Sequence, residues 1–154
     1  LGDSPLRTQL PPSSGPRHVD LHPTLPIVYL INELSSTIAV IDRHSMEIQQ
    51  IVRTLPENIN TVSTTAEIAV SADGAHVYGS NRGDDSIVTF AVDQMGLLLN
   101  PSFTKTGGAC PRHFTFDPSG QWLLVANQNT HNIVVFQTKS GRPTEMVCER
   151  FFSN

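Results

Sequence analysis

Seven side chains in this 154-residue sequence are of types that can hold an anion and move a proton: Arg17 and His18, Glu33, Glu67, Arg82, and Arg112 with His113. A guanidinium is a planar fork of donors that matches the paired oxygens of a carboxylate or a phosphate. A carboxylate or an imidazole beside it can take a proton from water or return one to a leaving oxygen. The pair Arg-His follows Pro twice, as Pro16-Arg17-His18 and Pro111-Arg112-His113, and Glu33 directly follows Asn32. Taken singly, each is commonplace, because an Arg beside a Glu across a strand pair is mostly a surface ion pair worth about 0–1 kcal/mol. Together they matter only if a scaffold brings distant stretches of chain to one place.

That scaffold is legible as a repeat. In the stretch 109–138, Phe114 and Phe116 alternate with Thr115, the period of a half-buried strand. Asp117-Pro118-Ser119-Gly120 has the residues of a type I turn. Trp122 to Ala126 is an almost continuous apolar run, and Ile133-Val134-Val135-Phe136 begins a third strand. The same order opens at Gly15 and again at Ala66. Each copy is followed by a more polar fourth strand, at Ile48 to Thr54, Leu97 to Phe103 and Glu145 to Phe152. The Asn closing each second strand, Asn32, Asn81 and Asn127, recurs after 49 and then 46 residues. Four strands in about 40 to 50 residues is the period of a β-propeller blade, and no run has helical spacing.

The expected fold is therefore all-β, a partial β-propeller over 1–154. It has three four-stranded antiparallel blades at 15–54, 66–103 and 110–152, after an inter-blade segment at 1–14. A β-sandwich would not repeat the same turn chemistry three times. A ring closes with about four blades or more, so further blades from a longer chain are expected. Faces carrying Tyr29, Tyr78 and Trp122 should be covered by neighbouring blades, and uncovered ones invite association.

In a blade, the first strand lines the central channel and the second returns beside it. Residues just before strand one and just after strand two therefore meet on one face, near the axis. Those positions hold Arg17, His18 and Glu33 in the first copy, Glu67 and Arg82 in the second, and Arg112, His113 and Gln128 in the third. The opposite turns, at His22-Pro23, Asp73-Gly74 and Ser119-Gly120, carry no such cluster. Three arginines on one face imply a small anionic ligand. His22, His44, His76 and His131 fall at turns or outer loops and read as bystanders.

Composition excludes several classes. The formal charge is −4 with no basic block, which argues against nucleic acid or an anionic membrane as partner. No apolar run is long enough for a transmembrane helix. Two unclustered cysteines, Cys110 and Cys148, suit reduced thiols and the cytosol. Side-chain oxygens of the three asparagines could in principle hold Ca²⁺, but the neighbouring arginines repel a cation. Neither a metal nor another cofactor is expected. No Gly-x-Ser-x-Gly elbow is present, so a serine nucleophile is not expected.

Gly15-Pro16-Arg17-His18-Val19-Asp20-Leu21-His22-Pro23, Tyr29-Leu30-Ile31-Asn32-Glu33-Leu34, Ala66-Glu67-Ile68, Ser80-Asn81-Arg82-Gly83 and Pro111-Arg112-His113-Phe114 resemble the bacterial-type 6-phosphogluconolactonase family. That family is built on a seven-bladed propeller and includes the fungal carboxymuconate-lactonizing enzymes. The resemblance covers the chain from Gly15 to about Phe151 and corresponds to the C-terminal part of a family member. It implies hydrolysis of a phosphorylated sugar lactone, 6-phosphoglucono-δ-lactone, in the pentose phosphate pathway. It also implies a catalytic group of Arg17, Glu33 and Arg82, with His18, Glu67, Arg112 and His113 binding substrate around it. Glu33, or a His from a blade outside this chain, would serve as base, and the arginines would serve the phosphate or the oxyanion. Two alternatives stand beside this one. One is a carboxymuconate-type cycloisomerase, and the other a non-enzymatic repeat propeller acting as a binding scaffold, which would not call for Pro-Arg-His before strand one.

Overall fold

The computed structural model describes residues 6–59 and 61–151, without the side chains of Glu145 and of residues 148–151. The expectations for residues 1–5, for the thiol of Cys148 and for the end of the last strand at Phe152 lie outside the described residues. Twelve strands occur in chain order, and no helix is found among the described residues. They are β1 (Pro16–Leu21), β2 (Ile27–Asn32), β3 (Thr37–Asp42) and β4 (Ile48–Arg53), then β5 (Thr64–Val70), β6 (His76–Arg82), β7 (Ser86–Val92) and β8 (Leu98–Lys105), and finally β9 (Pro111–Phe116), β10 (Trp122–Asn127), β11 (Asn132–Lys139) and β12 (Arg142–Phe151). Each group of four forms one sheet in sequence order, and every neighbouring pair is antiparallel. These are the blades of a partial β-propeller.

The first strands sit innermost, with β5 touching β1 on one side and β9 on the other. Hydrophobic clusters fill the two spaces between blades. Ile27, Tyr29, Ile31, Ile38 and Val40 meet Ile68, Val77, Val88 and Phe90 in the first. Tyr78 and Ile87 meet Phe114, Leu123, Val125, Val134 and Phe136 in the second. Burying a side chain of this size contributes about 1.5–3 kcal/mol, so blade-to-blade packing is the main stabiliser. Gly79 lets the first interface close, because a Cβ there would stand 3.1 Å from the Ile31 Cδ1.

Polar stitches set the spacing between blades. The Tyr29 hydroxyl donates to Gly96 O in the β7–β8 turn, and the Tyr78 hydroxyl donates to Gly141 O in the β11–β12 turn. That second turn is the two-residue Ser140-Gly141, with φ of 49° and 71°, the twist that suits a tight hairpin. Because the turn is so short, β12 starts at Arg142 and not at Glu145. Trp122 does not occupy the tyrosine position on the third blade. Counting back from Asn127, Leu124 does, and Trp122 lies two residues further out, only partly buried. The closing asparagines also tie blades together, Asn81 Nδ2 donating to Thr54 O and Asn127 Nδ2 to Thr106 O on the preceding connections.

Candidate functional site

All three channel strands are irregular at the same point. Pairing slips between Pro16 and His18 in β1, between Thr65 and Ile68 in β5, and opposite Ala126/Asn127 in β9. Each slip leaves an extra residue on the inner strand, a β-bulge, and a bulge re-aims side chains that would otherwise alternate. Arg17 with His18, and Arg112 with His113, consequently all line one cavity instead of splitting between two faces. The register makes Arg17, Ala66 and Arg112 equivalent, and likewise His18, Glu67 and His113. The chain enters two of these bulges through a left-handed residue before proline, Gly15 at φ 65° and Cys110 at φ 62°. The cysteine there takes a conformation that costs a non-glycine residue about 1–2 kcal/mol. Its backbone N–H is held by Asp85 Oδ1 at 2.8 Å.

Glu33 sits directly after β2, with its backbone N–H bonded to Gly15 O and its carbonyl accepting from the Thr65 N–H of the next blade. That fixes the carboxylate between two arginines. Arg82 NH2 donates to Oε1 at 2.5 Å and Arg17 Nε faces Oε2 at 3.4 Å. Both guanidiniums are largely buried, and each also donates to a backbone carbonyl of β5, Arg82 to Thr65 O and Arg17 to Ala66 O. The hydrogen bond from Arg82 pulls the Glu33 carboxyl below the usual range, against a smaller desolvation effect. The charges of Arg82, Arg17 and Arg112 add to the lowering.

Glu67 lies deeper, its side chain 14% exposed, and its partners are different. His18 Nδ1 stands 2.8 Å from Oε1 and His113 Nδ1 2.6 Å from Oε2. Burial alone would raise the Glu67 carboxyl. Hydrogen bonds from His113, His18 and the Ile68 N–H outweigh it and hold the group below its usual value. Arg17 NH1 lies 3.1 and 3.2 Å from the two ring nitrogens of His18, so it rests against the ring and does not lie along one lone pair.

Around these residues is a cavity of about 590 Å³, lined by Arg17, His18, Glu67, Arg112 and His113 from the channel strands. Its far wall is Ala126 to Gln128 and His131 to Ile133. Five of the seven residues singled out from the sequence thus share the cavity. Glu33 and Arg82 adjoin it through Arg17 but do not line it. His131 is not on an outer loop. The β10–β11 turn lies at the same end of the blade as the start of β9, so His131, at φ 56°, faces the site. Its place after Asn127 was the available signal. The other turn histidines stay away from the cavity, and His22 uses Nδ1 to accept the Thr24 and Leu25 N–H groups. Among the described residues no group of three or more His, Cys, Asp or Glu is placed to hold a metal ion.

Comparison with known proteins agrees with this architecture. A family model described as "Lactonase, 7-bladed beta-propeller" matches residues 3–149. The chain is 37% identical over 127 residues to an uncharacterised protein of Lactococcus lactis subsp. cremoris, covering 79% of this chain and 37% of that one. It is 35% identical over 140 residues to the 6-phosphogluconolactonase of Bacillus subtilis, covering 86% of this chain and 40% of the relative. Among solved structures, the periplasmic gluconolactonase of Pseudomonas aeruginosa superposes with a TM-score of 0.84 at 34% identity, over 90% of this chain and 40% of that one. The chain spans about two-fifths of the length of these relatives.

Proposed function

The chain belongs to the lactonase family of seven-bladed β-propellers, and from that premise we propose that the protein of which it forms three blades hydrolyses a phosphorylated sugar lactone, 6-phosphoglucono-δ-lactone, as a step of the pentose phosphate pathway in the cytosol. The observation that carries the reading is the charge arrangement at the channel. Arg17 and Arg112 line the cavity with one carboxylate, Glu67, which two histidines hold, and behind Arg17 stands Arg82 with Glu33 between the two guanidiniums. An excess of guanidinium over carboxylate at the wall of a cavity favours a ligand with its own negative charge.

Lactone hydrolysis needs three things from such a face: an anchor for the phosphate, donors near the carbonyl oxygen that becomes an oxyanion, and a group that moves a proton. The arginines supply the first two. Glu33 spends both oxygens on guanidiniums, so its part is to keep Arg17 and Arg82 oriented. The remaining blades are taken to close the ring and the cavity.

The test is turnover by the full-length protein. It should open 6-phosphoglucono-δ-lactone much faster than the unphosphorylated glucono-δ-lactone, and activity should survive exhaustive chelation. Absence of any lactone hydrolysis, or loss on chelation with recovery by Ca²⁺, overturns the reading. Cell fractionation decides the compartment.

A further inference from the structure

His18, Glu67 and His113 occupy the same bulge position in three successive blades. The symmetry of the repeat therefore places them side by side around the channel. In the middle blade a carboxylate stands where its neighbours carry imidazoles, and it accepts from both. A carboxylate is an acceptor only, so the Nδ1 of each ring bears the hydrogen, which leaves Nε2 as the nitrogen that can exchange a proton with anything in the cavity. A carboxylate that fixes one tautomer of a histidine is a recurring way of preparing a proton-transfer group.

The two rings are not equivalent. His18 lies under the Arg17 guanidinium, which also faces Glu33 and Ala66 O. The His113 Nε2 has no partner among the described residues, its side chain is 63% exposed, and it lines the cavity beside Arg112. We infer that His113 is the proton-transfer residue of the hydrolysis proposed above, and that Glu67, tied on its other oxygen to His18, is the positioning residue that holds it. This rests on the lactonase reading and goes further, by placing the acid–base group in this chain and separating it from the arginine pair.

The step balances. The His113 Nε2 takes a proton from a water molecule as the water oxygen bonds to the lactone carbonyl carbon, and negative charge collects on the former carbonyl oxygen near the arginines. The bond from that carbon to the ring oxygen then breaks, the carbonyl re-forms, and the ring oxygen takes the proton from Nε2. Imidazole returns neutral, and the open-chain acid releases its carboxyl proton to solvent.

The cavity presents other ionisable groups to His113. Glu67 comes from β5, Arg17 and His18 from β1, Arg112 from β9 itself and His131 from the β10–β11 turn, with Glu33 and Arg82 behind Arg17. A pH profile is therefore assigned by variant and not by value. In the full-length protein, His113→Ala should lower kcat by about 10²–10⁴-fold while KM changes little. It should remove the acid limb of the kcat/KM profile, and added imidazole should restore turnover. Glu67→Gln should lower kcat by about tenfold and displace the same limb without raising KM. The exposed His44→Ala, at the β3–β4 turn, should leave all of these unchanged. Unaltered kcat in His113→Ala, a rise in KM alone, or a loss that imidazole does not repair overturns the inference while leaving the lactonase reading standing. A wild-type protein that opens no lactone overturns both.

Discussion

Glu33 and Glu67 begin from similar places, each on the channel side of a blade, and end with opposite company. Glu33 lies between Arg82 and Arg17, and Glu67 between His113 and His18. Guanidinium stays charged at every pH a cell meets, so the first group is a fixed array of charges. Imidazole is the side chain whose proton comes and goes near neutrality, so the second is built for exchange. Exposure follows the same division, since the Glu33 side chain is 35% exposed and the Glu67 side chain 14%. A site with one group for holding charge and another for moving protons needs no residue to do both.

After His113→Ala, the largest expected effect comes from removing the fixed array. Glu33→Gln in the full-length protein keeps the shape but leaves two partly buried guanidiniums to repel each other. The hydrogen bond from Arg82 loses its charged acceptor and Arg17 loses its ion pair. A hydrogen bond to a charged group is worth about 1.5–3 kcal/mol, so kcat/KM should fall by roughly 10–10²-fold. A substantial part of the loss should appear in KM, and the pH profile should keep its shape. If kcat alone falls and the acid limb disappears, Glu33 is the base, and the division between the two carboxylates fails.

Which residues gather at the channel could be read from residue types and their positions relative to strands, whereas the division of roles between the two carboxylates could not. Glu33 just after β2, Arg17 at the start of β1 and Arg82 at the end of β6 are all at strand ends on one side, and end position survives small errors in strand boundaries. The Glu67 pairing was less legible. It depends on bulges at Arg17, Ala66–Glu67 and Arg112, and a bulge is a slip in pairing between two strands that leaves little trace in the alternation of either one. His131 was misplaced for a related reason. Its loop is polar, as both ends of a blade are, and the signal that it joins the site end was its place after Asn127, at the close of the second strand. Trp122 attracted notice by size, whereas the repeat register gives the interface position to Leu124.

A smaller effect separates the two arginines of the fixed array. Arg82 is 13% exposed and gives Glu33 its shortest hydrogen bond, while Arg17 also reaches the cavity and His18. Arg82→Ala should weaken binding of the phosphorylated lactone through loss of the array's geometry. KM should rise about tenfold, by the loss of roughly one charged hydrogen bond, and the rise should be smaller for the unphosphorylated analogue. Equal rises for both substrates would show that the array orients the sugar and not the phosphate, and parallel assays of the two lactones decide it.

The smallest effect concerns stability and distinguishes the two carboxylates without any substrate. Both have folded-state values below the usual 4.5. The unfolded chain therefore binds their protons first as pH falls, and each contributes stability that is present above pH 4.5 and lost as pH drops through the lowered folded value. The difference in unfolding free energy between wild type and Glu67→Gln should then be about 1 kcal/mol at pH 5 and shrink below 4.5. The same comparison for Glu33→Gln should give a smaller difference, because that group is more exposed to solvent. It should also fade with added salt, since both its partners carry a fixed charge and the carboxylate between them is 35% exposed. The Glu67 contribution should resist salt better, because its hydrogen bonds are short and its carboxylate is the less exposed of the two. Denaturant titrations at pH 3.5 to 6, at low and high salt, measure both. If the two differences respond to salt alike, the carboxylates share one electrostatic environment, and the contrast between a charge array and a proton relay is not a property of the folded protein.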